Sequence, residues 1–143
     1  MILPDVNGLL YAFEANSPFH LPWRTWLDSV LDGPGELALA DHCCIGVVRL
    51  ATHPRVTRTP ASASEALEFI ARLRAADRTR TVFATDATWA TFAEFAARDR
   101  QVRASLVPDA YLAALAVSHG CRLATADRGF GRFPGLDFFD PTS

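Results

Sequence analysis

Three aspartates lie at the ends or starts of apolar segments whose pattern indicates secondary structure. Asp5 follows the apolar run at residues 1–4, and Asp127 comes shortly after the apolar run at residues 121–124. Asp109 follows Pro108 in the first turn of a predicted helix, where proline is common and an acid complements the helix dipole. Each aspartate taken alone is also typical of a helix cap or a turn.

If the fold brings these three side chains together, they form a cluster of negative charges that favours a bound cation. Like charges held close to one another raise each other's pKa, and a bound divalent cation relieves the repulsion. Mg²⁺ and Mn²⁺ prefer carboxylate oxygens, and Mg²⁺ usually keeps several waters. Such a metal can activate water and stabilise a phosphoryl transition state. A shared site of Asp5, Asp109 and Asp127 would therefore suit metal-dependent hydrolysis of a phosphodiester.

The elements that must position these aspartates follow from hydrophobic periodicity. Strands are predicted at residues 1–4, 36–39, 81–84, 121–124 and 136–139. Helices are predicted at residues 6–15, from 17 or 18 to 32, 42–51, from 62 or 64 to 76, after 86, and 108–119, the last one ended by Gly120. Strands separated by helices predict one α/β layer sandwich, with a mainly parallel central sheet flanked by helices, over residues 1–143. Sites in such folds gather at the carboxyl ends of the strands, where Asp5 and Asp127 are expected.

Several details of that prediction concern caps and buried faces. Asp41 and Asp86 are expected to be N-caps, and Ser62 or Ser64 is expected to cap the fourth helix. Three tryptophans on helical apolar stripes, Trp23, Trp26 and Trp89, are expected in the core. The expected buried face of the fourth helix consists of Leu67, Ile70, Ala71 and Leu73.

Composition narrows the class of protein. Half of the 143 residues are hydrophobic and the net charge is −2, which fits a globular domain without an overall basic field. The three cysteines do not form a disulfide framework, which favours a reducing compartment such as the cytoplasm. We see no signal peptide and no stretch of 18 apolar residues, so no membrane association is expected.

The motifs around the aspartates resemble those of a known family. Residues 4–7 (Pro-Asp-Val-Asn) resemble the opening strand and first acid of PIN-domain ribonucleases. Residues 107–116 resemble that family's acid at a helix start, and residues 123–130 (Leu-Ala-Thr-Ala-Asp-Arg-Gly-Phe) resemble its last acidic motif. The likeness extends over nearly the whole chain in order and spacing, and within the family it is to the VapC-type toxins of type II toxin–antitoxin pairs.

The resemblance carries specific expectations. It implies a PIN-like fold and an endoribonuclease that uses Mg²⁺ or Mn²⁺ bound by Asp5, Asp109 and Asp127. It also implies an RNA substrate, a small cognate antitoxin protein and a homodimer. Asn7 and Thr125 are supporting candidates. Asn7 would hydrogen-bond to Asp5 or to the scissile phosphate, or cap the first helix, and Thr125 would hold a metal-bound water or a phosphate, or simply end a strand.

Two positions depart from the family pattern. The second family acid, commonly a Glu on the third helix, falls at Gly46, and many relatives have another Asp where this chain has Gly129. Asp41 lies five residues before Gly46 and is a possible substitute as well as a predicted N-cap. With three acids, one bound metal with its waters is the expectation.

Alternative interpretations are open at this point. A PIN-like protein that lacks the second acid would bind RNA or a partner without cleaving. A phosphatase with Asp5 as its nucleophile would want a second Asp where Asn7 stands. A zinc site built from His42, Cys43, Cys44, His119 and Cys121 has no recognised ligand spacing, and buried free cysteines are the favoured interpretation.

Overall fold

A computed structural model describes residues 1–143, which form five strands and six α-helices. The strands are β1 (Ile2–Pro4), β2 (Leu37–Ala40), β3 (Thr79–Val82), β4 (Arg122–Ala124) and β5 (Phe138–Phe139). The helices are α1 (Val6–Phe13), α2 (His20–Asp32), α3 (Asp41–Ala51), α4 (Ala63–Ala75), α5 (Asp86–Arg98) and α6 (Leu106–His119). A 3-10 helix at Arg128–Arg132 follows β4.

All strand pairs of the sheet are parallel, in the order β3-β2-β1-β4-β5. Strand β1 is central, and its residues Ile2 and Pro4 stand opposite Arg122 and Ala124 of β4. Parallel pairing places the carboxyl ends of β1 and β4 side by side, so the residues that follow them share one edge of the sheet. The predicted parallel α/β sandwich is confirmed.

The core is apolar and densely filled by small side chains. Strand β2 (Leu-Ala-Leu-Ala) is buried along its whole length, as expected of a strand covered on both faces. Helix α6 buries Leu112, Leu115 and four alanines, which lets it lie close to the sheet and to α5. No helix of this fold is long and apolar enough to cross a membrane.

Helix α2 starts at His20 and α6 at Leu106, two residues or more from the predicted starts, and two N-caps differ from the prediction. Asp41 and Asp86 are the first residues of α3 and α5, and the N-caps are Ala40 and Thr85. Thr85 forms a capping box with Thr88, whereas Ala40 has no side chain with which to cap. Ser62 caps α4, with Glu65 completing its capping box, as predicted for one of the two candidate serines.

Three predicted core positions are wrong. Leu67 is 55% exposed and Ala71 is also exposed, because α4 turns Ala66, Ile70 and Leu73 inward. Trp89 is 59% exposed at the start of α5, whereas Trp23 is buried and Trp26 is half-buried. In both helices the apolar residues fit more than one helical stripe, and tertiary packing selects among them.

Candidate active site

Asp5 is both the end of β1 and the N-cap of α1. Its Oδ1 accepts a hydrogen bond of 2.7 Å from the N–H of Gly8, which satisfies a free donor of the first turn. Its own N–H donates to the carbonyl of Ala124 at 3.1 Å, which ties it to β4. The Asp5 side chain lies deep in the fold, with 6% of the residue exposed. A carboxyl group so placed has a fixed orientation.

Thr125 is hydrogen-bonded to both Asp5 and Asp127. Its hydroxyl donates to Oδ2 of Asp5 at 2.5 Å, and its Oγ1 accepts from the N–H of Asp127 at 3.0 Å. Asp127 in turn caps the 3-10 helix, with Oδ1 accepting from the N–H of Gly129 at 2.8 Å. Because Thr125 is buried and its hydroxyl makes both bonds, it positions two acids.

Asp109 reaches the same region from the first turn of α6. The negative charges of Asp127 and Asp109 both raise the pKa of Asp5, which places the three carboxyl groups within electrostatic reach of each other. Burial is the larger cause, and together these effects raise the Asp5 pKa to about 6 despite the bonds from Thr125 and Gly8. Burial and then Asp127 also raise the pKa of Asp109, while Arg132 lowers it.

A cavity of about 210 Å³ opens onto two of the aspartates. Asp5, Asn7 and Asp127 contribute its polar wall, and Tyr11 and Trp23 contribute its aromatic wall. Asn7 is exposed on the first turn of α1, so its amide is available to a ligand, while the capping bond is made by Asp5. The cavity is small and polar, which suits a phosphate group or ordered waters better than an apolar ligand.

The donor set fits a hydrated hard cation in its chemistry. All three side chains offer carboxylate oxygens, and those of Asp109 and Oδ2 of Asp127 accept no hydrogen bond within the protein. However, no three His, Cys, Asp or Glu side chains converge closely enough to hold a metal ion as they stand. This geometry suits a cation that keeps most of its waters and binds some carboxylates through them.

The two glycines that depart from the family pattern both lie against neighbouring side chains. A Cβ at Gly46 would lie 3.1 Å from both methyl carbons of Val6, so α3 approaches α1 closely beside Asp5. A Cβ at Gly129 would lie 2.9 Å from Oδ1 of Asp127, the oxygen that caps the 3-10 helix, so a larger residue there would require that carboxylate to shift. Asp41 lines a separate groove between α3 and α4, together with Arg49 and Arg74, and not the cavity of Asp5 and Asp127.

Two further residues lie close to the site: Gly8, which was not singled out from the sequence, and Cys43, which was considered only as a zinc ligand. A Cβ at Gly8 would lie 2.3 Å from the Trp23 ring, so glycine lets α2 pack directly against the residue that donates to Asp5. Cys43 is buried near Asp5 and Asp109, and burial together with those charges raises the pKa of its thiol. The sequence signal for Gly8 was its position inside a short amphipathic helix, because a glycine there indicates either a bend in the helix or the close approach of a neighbouring group.

Comparison with known proteins agrees with this architecture. Residues 2–136 match the PIN domain, and the chain belongs to the PIN-domain family. Its relatives include Ribonuclease VapC48 of Mycobacterium tuberculosis, which is 33% identical over 97% of this chain and 96% of that protein. Among solved structures, VapBC-1 from nontypeable Haemophilus influenzae has a TM-score of 0.72 and 16% identity over the full length of both chains. M. tuberculosis VapC20, described as a sarcin–ricin loop cleaving toxin, has a TM-score of 0.69 and 17% identity over 95% of this chain and 98% of that one.

Proposed function

We propose that the chain is a metal-dependent endoribonuclease and the toxin of a toxin–antitoxin pair. The observation that carries the proposal is the arrangement of Asp5, Thr125 and Asp127 at the paired ends of β1 and β4, with Asp109 facing them from α6. Membership of the PIN-domain family and the likeness to proteins named VapC ribonucleases support it.

Each residue has a distinct part in the proposed reaction. Asp5, held by Gly8 and Thr125, and Asp109 and Asp127 would bind Mg²⁺ or Mn²⁺. The bound metal supplies activation of water and neutralisation of the charge that develops on the phosphate. Asn7, exposed on the cavity wall, would donate a hydrogen bond to a phosphate oxygen. The raised pKa of Asp5 means that the site takes up the cation with release of a proton below about pH 6.

The partners follow from the same proposal. The substrate is RNA, and a small antitoxin would cover the acidic site, with an Arg paired to Asp5, Asp109 or Asp127. A second copy of the chain is proposed to pack on the surface around Phe83 and Trp89, whose large side chains are exposed. The three cysteines are unpaired, which supports a cytoplasmic location.

One observation favours a second candidate function. Gly46 stands where the family commonly has Glu, and the remaining carboxylates do not converge on one ion. A protein of this fold that binds RNA or a partner without cleaving it would have the same structure. The two functions differ in whether RNA is cut when metal is supplied.

The deciding experiment compares three proteins on structured RNA in EDTA and after addition of Mg²⁺ or Mn²⁺. The unmodified chain and Asp77→Asn, a matched change of an exposed aspartate, should cleave only with metal. Asp109→Asn should remain folded and should not cleave. Undiminished cleavage in EDTA would refute the metal mechanism, and intact RNA with either metal would favour the binding function.

The partner is tested separately. Co-expression with the product of a neighbouring small reading frame should give a complex, and removal of that product should restore cleavage. Sedimentation velocity should give the mass of a dimer for the chain and of a monomer for Trp89→Glu. Normal growth of cells that produce folded protein alone would argue against a toxin.

A further inference from the structure

A second, larger cavity adjoins the acidic one. It has a volume of about 570 Å³ and shares Asn7 and Tyr11 with the cavity that contains Asp5 and Asp127. It is bounded by the start of α2 and by the loop between α3 and α4, which contributes Thr57 and Arg58. The volume lies in the range of pockets that hold small organic ligands. A group bound there would lie next to whatever occupies the acidic cavity.

One wall of this cavity is aromatic and partly open to solvent. The rings of Tyr11 and Phe19 are in contact, with centroids 5.0 Å apart and planes at 47°. Phe19 is 54% exposed although it is a large apolar side chain. Exposed aromatic rings beside a polar cavity are the usual surfaces on which unpaired nucleobases stack.

The polar side of the cavity includes a carboxylate with an unused acceptor. Oε1 of Glu14 is buried and has no hydrogen-bond partner. Burial raises the pKa of Glu14, and the side chain of Thr57 only partly counteracts it. A carboxylate oxygen enclosed without a donor costs free energy in the unliganded protein, and a turn of the Glu14 carboxylate toward a ligand donor in the cavity recovers that cost.

The surroundings of Glu14 are held in place. The side-chain amide of Asn16 donates to Oγ1 of Thr59 at 2.7 Å, and the N–H of Ala61 donates to the carbonyl of Ala51 at 2.9 Å. These bonds fix the loop that carries Arg58 against the segment that follows α1 and against the end of α3. Arg58 adds a positive charge suited to an RNA phosphate.

We propose that this cavity is a nucleobase pocket in which Glu14 accepts a hydrogen bond from an exocyclic amino group of a base close to the cleaved bond. Adenine, cytosine and guanine carry such a group, whereas uracil has none and offers only its ring N3–H, flanked by two carbonyl oxygens that the carboxylate repels. Glu14 is then a specificity-determining residue, Phe19 and Tyr11 provide the stacking surface, and Arg58 binds the backbone. The inference rests on the proposed ribonuclease function.

The first test maps cleavage sites in an RNA library with randomised positions, at pH 8 with Mn²⁺. For the unmodified protein, uracil should be depleted about tenfold or more at one position within two nucleotides of the cut. Glu14→Gln should lose this depletion, because an amide can turn its NH₂ group toward a uracil carbonyl. The matched control is Glu68→Gln, on the exposed side of α4, which should keep the profile of the unmodified protein.

The second test measures binding without cleavage and therefore does not depend on the nuclease activity. AMP, CMP and UMP are titrated in EDTA and followed by NMR shifts of the unmodified protein and its variants. UMP should bind most weakly to the unmodified protein, Glu14→Gln should bind all three equally, and Phe19→Ala should weaken all three.

The outcomes separate this inference from the proposed function. RNA left intact by the unmodified protein, together with the expected nucleotide preference, would refute the nuclease and keep the pocket. An unchanged cleavage profile in Glu14→Gln would overturn the pocket and keep the nuclease. Weakened binding of the antitoxin to Glu14→Gln, with the same cleavage profile, would assign the cavity to a protein partner and also overturn the inference.

Discussion

Replacing Asp5 with Asn should stabilise the metal-free protein at neutral pH, and the gain should vanish near pH 4. Asn is also a good N-cap and can accept the bond from Gly8, so the start of α1 is preserved. What the substitution removes is a buried negative charge that lies near Asp109 and Asp127. The size of the gain measures the cost of keeping that charge in the fold.

The magnitude follows from the pKa of Asp5, which burial and the neighbouring charges raise from an ordinary 3.8 to about 6. A folded-state pKa above the unfolded one means that the folded chain holds the proton more tightly. Stability therefore decreases as the pH rises from about 4 to about 6 and is level above that range. The total loss is roughly 3 kcal/mol, and Asp5→Asn should not suffer it.

Urea unfolding in EDTA between pH 4 and pH 7.5 provides the measurement. The free energy of unfolding of Asp5→Asn minus that of the unmodified protein should grow by roughly 3 kcal/mol across this range. Asp77→Asn, at an exposed position, should follow the unmodified protein. A difference that is independent of pH would refute the argument that burial and like charges strain the ionised Asp5.

Substitutions at three positions, with Gly35 as a control, test the supports of the site and the fold by urea unfolding. Thr125→Val removes a donor to Asp5 and an acceptor for Asp127, and should cost roughly 1–3 kcal/mol, most of it recovered in Thr125→Ser. Gly46→Ala should change stability by less than about 1 kcal/mol, because better helix propensity offsets the contact with Val6. Gly46→Glu should be less stable than Gly46→Ala in EDTA, since the larger side chain must pass Val6, and equal stability would refute the close approach. Gly120→Ala should cost about 1 kcal/mol because its φ is 65°, whereas Gly35→Ala, with open space around it, should be nearly neutral.

The order and type of the elements were predictable because local signals agree with the fold. Apolar runs correctly indicated β1 and β4, and Gly120 correctly ended α6. The positions of Asp5 and Asp127 after parallel strands then required only the rule that such strands end at one edge of the sheet. The approach of Asp5 and Asp127 to the same small cavity was therefore predictable.

What the sequence could not supply depends on how elements pack against each other. Asp86 and Thr85 are both acceptable caps, and only the backbone path selects Thr85. Leu67 and Ala66 both fit a helical stripe, and the smaller residue is buried because α4 lies close to its neighbours. The hydroxyl of Thr125 between two acids is a contact between residues 120 positions apart, which no local pattern encodes.

The central position of β1 also determines when the site can exist during synthesis. Strand β1 is translated before β4, its neighbour in the sheet, and Asp5 and Thr125 lie 120 positions apart in the chain. The bond from Thr125 to Asp5 and the charge of Asp127 beside it are absent until β4 has been translated and paired with β1. A nascent chain in which only β1 and β2 have formed therefore carries an incomplete acidic site, and the site is assembled in the step that adds β4 to the sheet.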